Sequence, residues 1–327
     1  MSLALVTGAT GFIGGRVAED LLSRGWAVRA LVRPESLGSG RLPAGCEPAA
    51  GDLLDAGAVR RAVSGVDAVF HVAARYSLAR SKAAIVERTN TDGTANVLSA
   101  AADEDVPMVH TSSVATVGLP ADGRPGDEDT PLPPDQVIGA YKRSKVASER
   151  LALDAAEAGQ HVVVVNPTAP VGPGDHAPTP TGRIVTDFLA GRMPAYVDTG
   201  LNLVDVRDVA AGHRLALERG ASGRRYILGN ENMTLREILR VLAGLSGRRA
   251  PRVRIPHAVA IAVAAVDEAV EGRLLGREPL APLDGALMAR KRMFVDGSRA
   301  VRELGMPQSP VRQALADAVD WAQARAA

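Results

Sequence analysis

The stretch Leu3-Ala4-Leu5-Val6-Thr7-Gly8-Ala9-Thr10-Gly11-Phe12-Ile13-Gly14 decides the fold. Its first five residues read as a strand buried on both faces, and they run straight into a glycine-rich turn. Residues 12–24 carry helical spacing and are closed by Gly25. In this order Gly8 permits the tight turn, Gly11 lets the backbone approach a pyrophosphate, and Gly14 lets helix pack on strand. Thr10, Phe12 and Ile13 complete the turn, and the N–H groups at the helix start face an anion. A glycine trio alone is weak evidence. Preceded by a strand and opening a helix, it predicts a dinucleotide site.

Further short apolar runs lie at 27–32, 68–72, 108–112 and 161–166, alternating with helical patterns at 56–63, 91–102 and 141–158. Such alternation predicts an α/β fold, a Rossmann-type doubly wound parallel sheet. The texture changes after Pro167. Residues 166–182 are dense in Pro and Gly and read as loop, followed by shorter elements at 202–206, 209–219, 225–228 and 234–246 and a last helix at 311–325. The expected organisation is an NAD(P)-binding domain over 1–167 and a smaller C-terminal lobe, mainly for substrate, over 168–327, with some segments returning to the sheet domain.

The 327 residues, 46% hydrophobic, suffice for a large core. Lys plus Arg (38) nearly balances Asp plus Glu (37), so no general attraction to nucleic acid or to an anionic membrane is expected. A lone cysteine, Cys46, forms no internal disulfide, and with no leader-like opening the chain is expected in the cytoplasm. The longest apolar run, AVAIAVAAV at 258–266, is short of the roughly 20 residues of a spanning helix. It reads first as a buried helix, and second as a greasy patch at a substrate mouth or membrane surface. The six histidines are scattered, which predicts no metal site, and there is no GxSxG elbow.

An acidic residue after the second strand would bond the adenosine 2′-hydroxyl of NAD. Here Leu31-Val32-Arg33-Pro34 offers none, and Arg33 suits a 2′-phosphate, so NADP(H) is favoured over NAD(H); the alternative is that Arg33 is solvated or only stacks on adenine. Asp52 and Leu53 follow the third strand and either line an adenine pocket or, for Asp52, cap a helix. Val72, Ala73 and Ala74 end the fourth strand with small residues next to a ribose. Asn90 opens the segment Asn90-Thr91-Asp92-Gly93-Thr94, which reads as a local helix cap or, by resemblance to the short-chain dehydrogenase/reductase superfamily, as a support of the active site.

Tyr141 and Lys145, at i and i+4, share one helix face. A free phenol titrates near 10. A neighbouring ammonium and an oxidised nicotinamide favour its phenolate, so Tyr141 can exchange a proton with a hydroxyl or carbonyl oxygen, while Lys145 can hold the nicotinamide ribose. Thr111-Ser112-Ser113 ends the preceding strand. Ser113, five residues before Gly118, has the spacing that resembles the short-chain dehydrogenase/reductase family and is the first choice as hydrogen-bonding hydroxyl, with Ser112 and Thr111 as fallbacks. Arg75 lies near the active-site edge and either meets an anionic substrate or is solvated.

The GxxGxxG spacing of Gly8, Gly11 and Gly14, with Ser113, Tyr141 and Lys145 in order, resembles the extended branch of the short-chain dehydrogenase/reductase superfamily. Asn166-Pro167-Thr168 followed by Gly172-Pro173 resembles the segment after its sixth strand, and implies that Asn166, Pro167 and Thr168 contact cofactor. The runs at 178–183, 192–202 and 288–294 are similar to the hopanoid-associated sugar epimerase family, near the dihydroflavonol-4-reductase-like enzymes. This resemblance implies a small-molecule substrate between sheet edge and second lobe, and a homodimer through the helices at 91–102 and 141–158; Ser113 is a further substrate contact, and Arg183, Tyr196, Asn202 and Arg292 are either substrate contacts or surface and packing residues. It points first to a sugar or nucleotide-sugar epimerase, linked to hopanoid-type lipid synthesis. The alternative is an NADPH-dependent aldehyde or ketone reductase, favoured by Arg33. A non-catalytic NADP sensor comes third. One departure stands out: Val117-Gly118 replaces the Val-Tyr-Gly frequent in nucleotide-sugar epimerases.

Overall fold

A computed structural model of the chain describes residues 1–274, 279 and 282–325. The first half alternates β1 (Leu3–Thr7), α1 (Phe12–Ser23), β2 (Ala27–Val32), β3 (Cys46–Ala50), α2 (Ala56–Val63), β4 (Ala68–His71), α3 (Ala83–Asp103), β5 (Met108–Thr111), α4 (Gly139–Glu157) and β6 (Val162–Pro167). The second half holds β7 (Ala169–Val171), α5 (Pro180–Leu189), β8 (Ala195–Val197), β9 (Gly200–Asp205), α6 (Val206–Arg219), β10 (Arg225–Leu228), β11 (Glu231–Thr234) and α7 (Leu235–Ser246). It ends with β12 (Val253–Ile255), α8 (His257–Asp267), α9 (Leu283–Met288) and α10 (Val311–Ala324).

Seven strands form one parallel sheet in the order β10-β6-β5-β4-β1-β2-β3. Side chains alternate across it, so Val6 joins Val17 and Leu21 of α1 on one face, while Leu5 joins Val59 of α2 and Val97 of α3 on the other. Both faces are therefore dry, as the unbroken apolar runs predict. Each fully buried Val or Leu contributes about 1.5–3 kcal/mol. β10 brings the chain back to the large sheet from the second half. The three-stranded sheet β11-β9-β7 and the pair β12-β8 lie outside it. They share a separate core, Phe188, Leu203, Ile238, Leu242 and Leu315.

Three expectations are corrected. The helix placed at 91–102 begins at Ala83, so Asn90 lies inside α3 rather than at its start; the first turn has no side-chain cap to announce it. The 166–182 loop contains β7, and α5 starts within its end, at Pro180 with Thr179 capping. The apolar run 258–266 is helical but not buried. Only Ala264 of α8 is fully covered, because the helix packs on α9 along one side and leaves Val259, Val263 and Val266 exposed.

Candidate functional site

Strand order reverses at β1, with β2 on one side and β4 on the other, and open α/β sheets bind ligands at such a point. A cleft of about 1190 Å³ opens there. Thr7, at the end of β1, fixes the floor. Its hydroxyl accepts from the N–H groups of Val72 and Ala73, both 3.1 Å, so its proton goes to Nδ1 of His71 at 2.9 Å. His71 Nε2–H then donates to Thr94 at 3.0 Å, and Thr94 donates to the Asn90 carbonyl at 2.7 Å. The ring is thus a neutral structural bridge, and burial holds its pKa down to about 3.

Gly8 has φ +76°, and a Cβ there would lie 2.8 Å from Ala73 Cα. A Cβ on Gly14 would lie 2.2 Å from the Gly8 carbonyl oxygen. The turn therefore brings α1 down onto the end of β1 with its first N–H groups open toward the cleft. Gly8, Thr10, Gly11, Phe12, Ile13, Gly14, Arg33, Asp52, Leu53, Val72, Ala73 and Ala74 all line it. Asp52 is not the helix cap. Its carboxylate accepts from Leu54 N at 2.9 Å, and the cap of α2 is Asp55, bonded to Ala58 N at 3.0 Å.

Ser113, Tyr141 and Lys145 line the same cleft. Among the three candidate hydroxyls, Thr111 is engaged by His213 at 2.9 Å, Ser112 is buried without a partner among the described residues, and Ser113 is hydrogen-bonded with Tyr141. Lys145 Nζ donates to the Thr111 carbonyl at 2.7 Å, and burial lowers its pKa to about 8. Burial raises the Tyr141 phenol, with the Ser113 bond pulling the other way. In the protein itself desolvation is the larger influence on this phenol.

Several predicted residues stand behind the cleft rather than in its wall. Asn90 clamps the Arg75 backbone (2.7 Å to its N–H, 3.0 Å from its carbonyl) and bonds Ser144 of α4 at 2.9 Å. Asn166 donates to the Ser113 carbonyl at 3.1 Å and to Glu149 at 2.7 Å. Pro167, Thr168, Arg75 and Asn202 line the cleft, but the Asn202 amide is occupied by Asn230 and Asn232. Arg183 is exposed, Tyr196 packs in the second-lobe core, and Arg292 pairs with Asp198 at 2.9 Å. The sequence reading missed Tyr76, whose ring meets Tyr141 edge-on at 4.6 Å, and the lining residues Ser36, Ser39, Arg41, Met288 and Lys291. Tyr76 adjoins Arg75 and was findable; the others depend on how loops and the second lobe fold over.

A model of the NAD dependent epimerase/dehydratase family matches residues 4–229. The chain belongs to that family. A putative dihydroflavonol 4-reductase from Synechocystis sp. is 47% identical over 323 residues, covering 97% of this chain and 94% of that protein. Sterol demethylase protein B from Methylococcus capsulatus is 35% identical over 323 residues, 98% of each. The crystal structure of a nucleoside-diphosphate-sugar epimerase from Pseudomonas aeruginosa is similar at a TM-score of 0.82, with 27% identity over 99% of this chain and 98% of that one.

This epimerase/dehydratase family member is thus an NAD(P)-dependent oxidoreductase of the extended short-chain type. Its cradle fits a dinucleotide: the places where a Cβ would strike backbone are glycine, and the wall facing Gly8 is alanine.

Proposed function

We propose that this protein is an NADPH-dependent reductase of an apolar ketone or aldehyde. The observation that carries the reading is the cleft wall facing the second lobe. Tyr76, Leu78, Ile184, Leu235, Met288 and Met293 make it apolar. The two carboxylates of the lining, Glu35 and Asp52, follow β2 and β3 at the far end of the site. Such a wall favours a hydrocarbon body and offers little to a polyhydroxylated sugar. Arg75 and Lys291 are its cations, suited to one anionic or strongly polar group on the substrate.

When bound, the nicotinamide supplies the hydride. The chain's own part is proton handling. Tyr141, protonated because burial raises its pKa, donates its phenolic proton to the carbonyl oxygen as that oxygen gains charge. Ser113 orients the same oxygen through a hydrogen bond. Lys145, beside Tyr141 and titrating at about 8, returns a proton to the phenolate and holds the ribose. Asn90 and Asn166 position these groups from behind. Arg33, Arg41, Ser36 and Ser39 supply charge and hydroxyls for a 2′-phosphate, which supports NADP(H) over NAD(H). A homodimer through α3 and α4, packed side by side on one sheet face, belongs to the same reading.

Incubation of the purified protein with NADPH and a panel of medium-chain and isoprenoid ketones tests the reading. Stoichiometric loss of NADPH absorbance with alcohol formation is expected, with weaker activity on NADH. Turnover of a nucleotide sugar with no net change in cofactor would overturn it. The second reading, a sugar epimerase, is favoured by the full-length likeness to the Pseudomonas epimerase.

A further inference from the structure

The surface carries an apolar face that the reaction does not use. Nine consecutive residues, 258–266, bear no charged or polar side chain. Within α8, Val259 is 50% exposed, Val263 58% and Val266 63%. Their spacing of four and three residues places them in one stripe. Val270 extends the stripe into the following π-helical segment, Glu268–Leu274, and Ala258, Ala262, Ala265 and Ala269 are exposed between the valines. A contiguous exposed patch of this kind marks an interaction site.

What covers it is indicated by charge. The nine residues before the helix hold Arg248, Arg249, Arg252 and Arg254, all exposed, with Val253 exposed among them. Arg254 pairs with Asp198 at 3.1 Å. No ion pair engages Arg248, Arg249 or Arg252 among the described residues. Among the described residues the acids at the other end of α8 offer little to balance them: Asp267 is engaged within the chain and Glu268 is buried against the Leu283 N–H, leaving Glu271. A second copy of this face would bring more arginine with few carboxylates to receive it. An anionic lipid surface provides negative headgroups beside hydrocarbon, which matches the arginine run next to the valine stripe.

We propose that this face docks the enzyme on an anionic lipid bilayer, with α8 lying in the plane of the headgroups and the arginines contacting them. At 11 residues α8 is too short to cross, and among the described residues no helix is long and apolar enough to do so. The docked face also adjoins the cleft. α8 packs on α9, whose Gly285 and Met288 line the apolar wall, so a bilayer-dissolved substrate would enter beside the membrane. The docking stands apart from the reductase reading, since it is measured without turnover.

Co-sedimentation of the full chain with vesicles tests it. Sedimentation is expected with phosphatidylcholine mixed with phosphatidylglycerol, and weak sedimentation with phosphatidylcholine alone or in high salt. Val259→Asp with Val263→Asp should reduce lipid-bound protein by about tenfold or more. Replacing Arg248, Arg249 and Arg252 by Ser should remove the preference for anionic vesicles, about tenfold. Because these side chains are exposed, both variants should keep the wild-type melting temperature and NADPH affinity. Wild-type protein that stays in the supernatant with anionic vesicles, or a valine variant that sediments like wild type, would overturn the proposal. So would a valine variant whose sole change is dissociation of a dimer in light scattering.

Discussion

At the scale of single residues, the site is a balance between burial and hydrogen bonding. Tyr141→Phe removes the proton donor and leaves the wall intact, so turnover should fall about 10²–10⁴-fold while NADPH affinity, read by fluorescence titration, changes little. Retained turnover would reassign the acid. The pH profile follows from the neighbours. His71 and His110 are kept neutral by burial, so kcat/KM should show no step near the ordinary histidine range. Above about 8, where Lys145 loses its proton, the reductive rate should fall because the phenolate is no longer recharged. Lys145→Met should lower the rate throughout and erase that limb. Glu149, one turn beyond Lys145, accepts from Thr116 and Asn166 at 2.7 Å each and faces Arg225 at 3.2 Å. Glu149→Gln strips the charge from this buried cluster and should cost about 3 kcal/mol in urea unfolding.

At the scale of elements, Gly14 decides whether α1 can meet β1. Gly14→Ala puts a Cβ on the Gly8 carbonyl, a backbone contact that no rotamer relieves. The helix must shift, costing about 1–3 kcal/mol, and NADPH affinity should drop far more than for Gly15→Ala, whose Cβ would meet Ala9 O at 3.2 Å. Equal affinities for the two variants would show that the cradle tolerates the shift. The elements legible in the sequence were those whose local signal and tertiary role agree. β1 and α1 are each closed by glycine, and β1 and β2 are apolar runs buried within the sheet. α3 was read short because Lys82 provides no cap and Arg80–Lys82 runs into the helix through a 3₁₀ turn. β7 was missed because a three-residue strand is defined by its partner β9, not by its own sequence. The burial of α8 was misread for a related reason: composition gives apolarity, while exposure depends on what packs against it. In the site, Ser113, Tyr141 and Lys145 were legible by spacing. The direction in which burial shifts Tyr141 was not, since desolvation depends on the assembled pocket.

At the scale of the whole molecule, the buried histidines make stability depend on pH. His71 and His213 titrate in the folded protein at about 3 and about 4, and His110 well below its ordinary value, in each case chiefly through burial. Unfolded, all three take up protons near 6.5. Below that pH the unfolded chain binds more protons than the native one, so stability falls with acid, by about 1.4 kcal/mol per pH unit for each histidine still neutral in the fold. Above it, their contribution is complete and flat. Asp175 and Asp208 oppose this, because burial raises their pKa and the folded carboxyls take up protons at higher pH than the unfolded ones. Urea midpoints should therefore fall from about pH 7 to about pH 5, where the unfolded histidines take up protons. His213 is bonded to Thr111 and to the Val209 carbonyl at 2.9 and 2.8 Å. His213→Gln should lower stability at neutral pH and make the acid slope shallower by one histidine's share. An unchanged slope would mean that His213 is protonated in the fold, with its charge carried by the Val209 carbonyl rather than expelled by the core.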